Sequence, residues 1–204
     1  MKNKKTLLGL TLVFALVMGS ASVLYNRLGQ DIAAEQMIVH EQQSAQDETA
    51  SENDASGQEE EQNEELIPAP DFTVYDASGS EVQLSAFFGK PIVLNFWASW
   101  CGPCQSEMPD FNEKYAELGD DIHFVMVNMT DGGRETMETA SAFIEKNGYD
   151  FPVFFDTSSQ AAVTYGAYSL PTSFFINAQG HVIAQAVGAI DAQTLQRGID
   201  MITG

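Results

Sequence analysis

The sequence is short of cysteine and of positive charge. Its 204 residues include two Cys, and nine Lys and Arg stand against 29 Asp and Glu, which gives a net charge of −20. Two Cys exclude a fold built on a disulfide framework and a zinc site with four Cys ligands. Because so acidic a surface repels phosphates, we expect no nucleic-acid partner.

The charges divide the chain into three regions. Residues 1–30 contain four bases and no acid, residues 31–67 contain 12 acids and no base, and residues 68–204 contain 17 acids and five bases. The last region has the usual size of a single domain with its own core. We therefore predict an N-terminal membrane segment, an acidic linker and one folded domain.

The first region contains a long apolar run. Residues 6–25 include no charged side chain, and three Lys precede them. Twenty residues of helix rise about 30 Å, enough to cross the hydrocarbon core of a bilayer. The preceding Lys residues favour a cytoplasmic N-terminus, with the rest of the chain outside. No Cys follows the run, so a lipoprotein is excluded. A signal peptide cleaved near Ala21 is the alternative, and it would release the domain as a secreted protein.

The second region is predicted to be disordered. From Glu41 to residue 65 it has no aromatic side chain and almost no aliphatic one. Such a segment cannot bury enough apolar surface to offset its loss of conformational entropy. We interpret residues 31–67 as a linker that either holds the domain away from the membrane or serves only to keep the chain soluble.

The third region alternates strands with helices. Short strands flank a turn at 76–79, with Ser85 as the expected N-cap of the next turn. Apolar runs at 91–97 and 122–129 predict strands buried on both faces. The remaining predicted elements are helices at 102–118, 134–147 and 158–165, a strand at 151–155, a hairpin of 172–177 and 181–187, and a helix capped by Asp191. This order predicts an α/β fold with a mixed central sheet flanked by helices.

Both Cys belong to one segment, WASWCGPC, at residues 97–104. It joins a predicted buried strand to a predicted helix, whose N-terminus favours a thiolate and lowers the pKa of a Cys. We expect Cys101 to be the more exposed of the two and therefore the nucleophile, and Cys104 to resolve the mixed disulfide that it forms. A disulfide that closes so short a loop adds little to the stability of the fold, which disfavours a purely structural role for it.

Two other uses of the Cys pair, a metal site and a peroxidase centre, are disfavoured by the sequence. A metal site needs further ligands, and His40, His123 and His181 all lie far from the motif in sequence. A peroxidase needs its reactive Cys in a different, Thr-containing context. We therefore expect a redox pair that uses neither a metal nor a cofactor.

Several segments together resemble one protein family. WASWCGPC, APDF, the longer stretch LSAFFGKPIVLNF, FPVFFD and LPTSFFIN are similar to the ResA/TlpA-like branch of the thioredoxin superfamily, over residues 68–204. The resemblance implies a thioredoxin fold with an N-terminal strand extension and a helix–strand insert after 122–129. It also implies a thiol–disulfide oxidoreductase on the extracytoplasmic face of a bacterial cell membrane, anchored by a single pass.

The resemblance assigns a client-contact surface around the redox pair. Pro171 would be a cis-proline facing the disulfide, and Leu170 would offer its backbone to a client segment. Trp100 would form part of a flat apolar surface, beside Gly102 and Pro103. The alternative for Pro171 is an ordinary proline at the start of a strand.

A catalytic carboxyl group is also implied. Asn95 stands where plain thioredoxins have a buried Asp, and an amide cannot transfer protons for the second Cys. The ResA-like branch has a Glu at the position of Glu107, which we expect to take over proton transfer with Cys104. The alternative is a Glu on the solvent face of the helix.

The sequence leaves three functions open. The first is a reductase that delivers electrons from a membrane thiol donor to disulfides of exported client proteins, such as apocytochrome c or a methionine sulfoxide reductase. Gly-Pro between the two Cys favours this direction. The others are a disulfide-forming oxidase of secreted proteins and a non-catalytic thioredoxin-fold binding module.

Overall fold

The computed structural model describes residues 37–39 and 66–204. Its strands are β1 (Met37–Val39), β2 (Ile67–Pro68), β3 (Thr73–Tyr75), β4 (Glu81–Gln83), β5 (Ile92–Trp97), β6 (His123–Asn128), β7 (Val153–Phe155), β8 (Thr172–Ile176) and β9 (His181–Val187). Its helices are α1 (Gly102–Leu118), α2 (Met137–Asn147), α3 (Gln160–Tyr165) and α4 (Ala192–Thr203), with a 3₁₀ helix at Leu84–Phe87. The predicted membrane segment and most of the predicted linker lie outside the described residues. Within those residues, no helix is long and apolar enough to span a bilayer.

The described strands form one mixed sheet. Their order is β1-β9-β8-β5-β6-β7-β3-β4, and β2 also pairs with β9. The pairs β5–β6 and β6–β7 are parallel, whereas the other pairs are antiparallel. The predicted α/β class, N-terminal strand extension and C-terminal hairpin are confirmed.

Strand β5 lies inside the sheet and is buried along its whole length. Because successive side chains point to opposite faces, Val93 and Trp97 join a core beneath α1 and α4. Leu94 and Phe96 join a second core on the other face, with Tyr165 of α3. This double burial explains why the strand is a continuous apolar run rather than an alternating one.

Two local predictions are corrected by capping geometry. Helix α2 begins three residues later than predicted, because Thr136 caps it: its Oγ1 accepts a hydrogen bond from the N–H of Thr139 at 3.2 Å. Ser85 is not an N-cap. The 3₁₀ helix follows Gln83 without a side-chain cap, and the Ser85 hydroxyl instead donates to Asp71 Oδ2 at 2.7 Å.

Part of the predicted linker belongs to the sheet. Residues 37–39 pair antiparallel with residues 184–186 of β9, and Ile67 pairs with Val182. The prediction of disorder over 31–67 is therefore wrong for these residues. The triplet Met-Ile-Val precedes the acidic run that begins at Glu41, and its residue types suit a strand.

Helix α4 packs so closely on the sheet that Gly198 has no room for a side chain. A Cβ at this position would overlap the fully buried ring of Phe175. Alanine improves helix propensity by about 1 kcal/mol, but overpacking a core costs about 1–3 kcal/mol. The packing cost should therefore exceed the gain in propensity.

We expect Gly198→Ala to lower the free energy of unfolding, by about 1 kcal/mol, as measured by urea denaturation. Gly133→Ala is the control, because its new Cβ would make an ordinary contact, 3.6 Å from Asp131 Oδ1. A Gly198→Ala variant as stable as the parent chain would show that α4 can move away from β8.

Candidate active site

The two Cys form a disulfide at the start of α1, with their Cα atoms 5.3 Å apart. Cys101 is the N-cap of the helix, and its Sγ accepts a hydrogen bond from the N–H of Cys104 at 3.2 Å. Cys101 is 5% exposed and Cys104 is fully buried. The predicted order of accessibility is confirmed, and the N–H donor stands where it would stabilise a Cys101 thiolate.

The predicted contact residues lie at the same end of the sheet as the disulfide. Phe96, near the end of β5, pairs with Thr172 at the start of β8, so Pro171 is level with the loop that leads to Cys101. The Leu170–Pro171 peptide bond is cis, as expected from the resemblance. Outside the sheet ladders, no hydrogen bond in the described residues uses the backbone N–H or C=O of Leu170. Those groups are available to an extended peptide segment.

Other side chains at this end are open to solvent. Gly102 and Pro103 are exposed at the first turn of α1. Trp100 is 40% exposed, and Tyr168, two residues before Leu170, is 82% exposed. The surface beside the redox pair is therefore aromatic in part, and Tyr168 is a member that the sequence analysis did not identify.

Glu107 is buried, not on the solvent face of its helix. It is 2% exposed and lies three residues after Cys104 on the buried face of α1. Its Oε1 accepts a hydrogen bond from Asn95 Nδ2 at 2.8 Å, and its Oε2 accepts one from the N–H of Ile190 at 3.0 Å. Asn95 Nδ2 donates to Ser173 Oγ as well, at 2.9 Å. Strand β5 and the loop after β9 thus hold this carboxyl group in place, and strand β8 positions the Asn95 amide that binds it.

Burial raises the pKa of Glu107 to about 8, from its ordinary value of 4.5. The hydrogen bonds from Ile190 and Asn95 oppose this rise, and the nearby charge of Asp110 adds to it. A free Cys thiol has a pKa of about 8.5, so a carboxyl group with a pKa of about 8 is better suited to take up a thiol proton than an ordinary Glu would be. This carboxyl group is mostly protonated at neutral pH and ionises as the pH rises towards 8, so it can gain or lose a proton near the working pH.

A second buried carboxyl group holds the loop before the disulfide. Glu135 is completely buried, and its oxygens accept hydrogen bonds from the Ser99 N–H at 3.0 Å and the Ser99 hydroxyl at 2.7 Å. Asn128 Nδ2 donates a third at 2.9 Å. Gln105 Nε2 binds the carbonyl of Ser99 at 2.6 Å. Ser99 is therefore fixed on all its polar atoms, two residues before Cys101.

Arg134, next to Glu135, lies over the ring of Trp100. Its Cζ is 3.7 Å from the ring centroid, which is a cation–π contact. The surface predicted as flat and apolar is thus partly covered by a cation. Neither Glu135 nor Arg134 was identified from the sequence, because they were assigned to a helix at 134–147. No short motif links them to residues about 35 positions earlier.

The rest of the domain offers no obvious metal site. Across the described parts of the chain, no three His, Cys, Asp or Glu side chains cluster closely enough to hold an ion.

A thioredoxin-type sheet with a Cys-Gly-Pro-Cys pair at a helix start and a cis-proline on the adjacent strand defines a thioredoxin-fold thiol–disulfide oxidoreductase. The chain belongs to the AhpC/TSA family, whose model matches residues 67–185, and within it to the ResA-like thiol–disulfide oxidoreductases.

The similarity extends over most of the relatives' length. ResA of Bacillus thuringiensis (strain Al Hakam) is 37% identical over 138 residues, which cover 66% of this chain and 76% of that protein. ResA of Bacillus subtilis (strain 168) is 32% identical over 135 residues, covering 66% and 73%. A solved structure from Chlorobium tepidum, described as a thiol:disulfide interchange protein DsbE, matches with a TM-score of 0.61 and 34% identity, covering 68% of this chain and 97% of that one.

The raised pKa of Glu107 predicts a pH dependence of stability. Between pH 4.5 and about 8 the unfolded chain releases the Glu107 proton, whereas the folded chain retains it. The free energy of unfolding should therefore fall as pH rises through this window, by up to about 1.4 kcal/mol per pH unit from this group. Glu107→Gln should remove this fall, as measured by urea denaturation of the oxidised protein at several pH values.

Glu113→Gln is the matched control, because Glu113 lies on the exposed face of the same helix. It should keep the slope of the parent chain. An unchanged slope in Glu107→Gln would mean that Glu107 is ionised in the folded protein at neutral pH.

Proposed function

We propose that this oxidoreductase is a membrane-tethered reductase that acts outside the cytoplasm on disulfides of exported client proteins. The observation that carries the proposal is the pairing of Cys101, the more exposed of the two Cys, with a buried Glu107 one helical turn beyond Cys104. The Gly-Pro dipeptide between the two Cys favours the reducing direction. Apocytochrome c and methionine sulfoxide reductase are the kinds of client that fit this role.

The first step is a thiol–disulfide exchange. The Cys101 thiolate attacks one sulfur of the client disulfide, so a Cys101–client bond forms and the other client sulfur leaves as a thiolate. The N–H of Cys104, which lies 3.2 Å from Cys101 Sγ, stabilises the attacking thiolate. The available backbone groups of Leu170 support pairing with the client segment during this step.

The second step resolves the mixed disulfide. Cys104 gives its proton to Glu107, whose ionised form becomes more abundant as the pH rises towards 8, and attacks Cys101 Sγ. The Cys101–Cys104 bond forms, the Cys101–client bond breaks, and the second client sulfur leaves as a thiolate. Two electrons pass from the protein to the client, and the protein is left with the disulfide present in this structure. Because Cys104 has no exposure to solvent, a proton acceptor inside the protein is needed, and Glu107 lies on the same buried helix face.

The proposal includes the protein's attachment and its source of electrons. Residues 6–25 would anchor it in the membrane and the acidic segment would connect the anchor to the domain, with the positive N-terminus in the cytoplasm. A membrane thiol donor would restore the dithiol by the reverse exchange with Cys101. This arrangement keeps a reductase active in a compartment that favours disulfides.

The reductase activity is tested with purified full-length protein in detergent, using insulin disulfides as the substrate and dithiothreitol as the electron source. We expect turnover that Cys101→Ser abolishes. Glu107→Gln should slow turnover about tenfold or more, because it removes the proton acceptor for Cys104, and should remove the pH dependence near pH 8 that the Glu107 carboxyl group causes.

Glu113→Gln should turn over like the parent chain. Absence of Cys101-dependent turnover would favour a binding module. A reduction potential at the oxidising end of the range for such pairs, near −120 mV rather than about −270 mV, would favour an oxidase.

Location and client are tested together by trapping. Cys104→Ser in a bacterial membrane should accumulate clients as mixed disulfides on Cys101, because the second step is blocked. The protein should sediment with membranes, and protease added outside the cytoplasmic membrane should cleave it. Release without sedimentation would support cleavage near Ala21, and a protease-resistant domain would contradict the predicted orientation.

A further inference from the structure

The domain of residues 68–204 carries five bases, and the fold separates one of them from the rest. Arg134 lies over Trp100, the residue that precedes Cys101 in the chain. Three of the other four have partners: Lys90 donates to the carbonyl of Asp120, Lys114 pairs with Glu117, and Arg197 donates to Thr194. The fourth, Lys146, lies in the last turn of α2. Lys90 precedes β5 whereas Cys101 follows it, so these two lie at opposite ends of the sheet.

The loop that carries Arg134 has a defined structure. Asp131 Oδ1 accepts hydrogen bonds from the N–H of Gly133 at 2.8 Å and of Glu135 at 3.0 Å. The N–H of Gly132 donates to the carbonyl of Glu135 at 2.9 Å. Since Glu135 is in turn bonded to Ser99, the backbone on both sides of Arg134 is held against the redox loop.

The guanidinium group retains its hydrogen-bonding capacity. Stacking on a ring uses the face of the guanidinium, while its N–H donors lie in the plane around its edge. In residues 66–204 the side chain of Arg134 donates no hydrogen bond and forms no ion pair within 4 Å, the one such pair there being Lys114–Glu117. An anion brought to Cys101 would therefore meet an oriented set of donors.

Two acids lie close to Arg134 in the loop, and both have other partners. The carboxylate oxygens of Glu135 accept hydrogen bonds from Ser99 and Asn128. The pKa of Asp131 is lowered chiefly by the N–H groups of Glu135 and Gly133, and the charge of Arg134 contributes less. Neither carboxylate therefore occupies the donors of Arg134.

We propose that Arg134 is a specificity-determining residue that favours clients with an acidic side chain two residues from the cysteine attacked by Cys101. This inference rests on the proposed function. The domain's net negative charge repels acidic partners in general, but that repulsion is screened beyond about 8 Å at physiological salt. The contact with Arg134 is local, so it strengthens the binding of a client that has an acidic side chain at one position, whatever the client's overall charge.

The test uses the full-length protein in detergent and disulfide-bonded peptides that differ only in Glu, Gln or Lys two residues from the attacked cysteine. The parent chain should reduce the Glu peptide with a kcat/KM about two- to fivefold higher than the Lys peptide, the range expected for an exposed ion pair. The difference should be in KM and should disappear in 0.5 M NaCl. Arg134→Ala should equalise the peptides, and Arg134→Glu should reverse the order.

Lys146→Glu is the matched control, because it makes the same change of charge near the far end of α2, about 15 Å further along the helix. It should keep the preference of the parent chain. Equal kcat/KM for the three peptides, or a preference that survives Arg134→Ala, would overturn the proposal.

A binding measurement separates this proposal from the proposed function. Peptides in which serine replaces cysteine cannot react, and their affinities can be followed by the fluorescence of the half-exposed Trp100. Tighter binding of the Glu peptide, dependent on Arg134, supports the specificity role even if no peptide is turned over, and equal affinities contradict it. Loss of turnover on all peptides, including the Gln peptide, contradicts only the reductase.

Discussion

Glu107 connects the elements that meet behind the disulfide. It projects from α1, accepts hydrogen bonds from Asn95 of β5 and from the backbone of Ile190, and is linked through Asn95 to Ser173 of β8. Burying an ionised carboxyl group is costly unless hydrogen bonds compensate. Two are present, yet burial still dominates, and the pKa rises to about 8. The same contacts that assemble the core at this end therefore prepare a group that can exchange protons with a thiol.

The second buried carboxyl group, Glu135, positions the loop before Cys101 and has no role in the proposed proton transfer. Glu135 accepts two hydrogen bonds from the half-buried Ser99 and one from the buried Asn128. Removing it would leave the Asn128 donor buried without this partner, at about 1–3 kcal/mol. Glu135 thereby fixes the residues between β5 and Cys101, whereas Glu107 supports the disulfide from behind. Because the two networks use different atoms, positioning and proton transfer can be altered separately by mutation.

The sequence predicted features that depend on local pattern. The continuous apolar run of β5, the helix after Cys101 and the Asp191 cap, whose Oδ1 accepts from the Thr194 N–H at 2.8 Å, all follow from periodicity or capping rules. The role of Glu135 was not predicted, because its partner Ser99 lies 36 residues earlier and no local sequence pattern indicates a contact over that separation. The strand at 37–39 was not predicted for the same reason, because the strand it pairs with, β9, lies near the other end of the chain.

The fold divides chemistry from selection. Cys101, Cys104 and Glu107 all belong to α1 or its cap, with support from the central strands, and this group would react alike with any accessible disulfide. Arg134 lies on the loop between β6 and α2, which is joined to the redox loop by the hydrogen bonds of Ser99 and by the contact with Trp100. A change in that loop alters what a client meets beside Cys101 and leaves the carboxyl group behind Cys104 untouched. Under the proposed function, client choice can thus be changed independently of the chemistry.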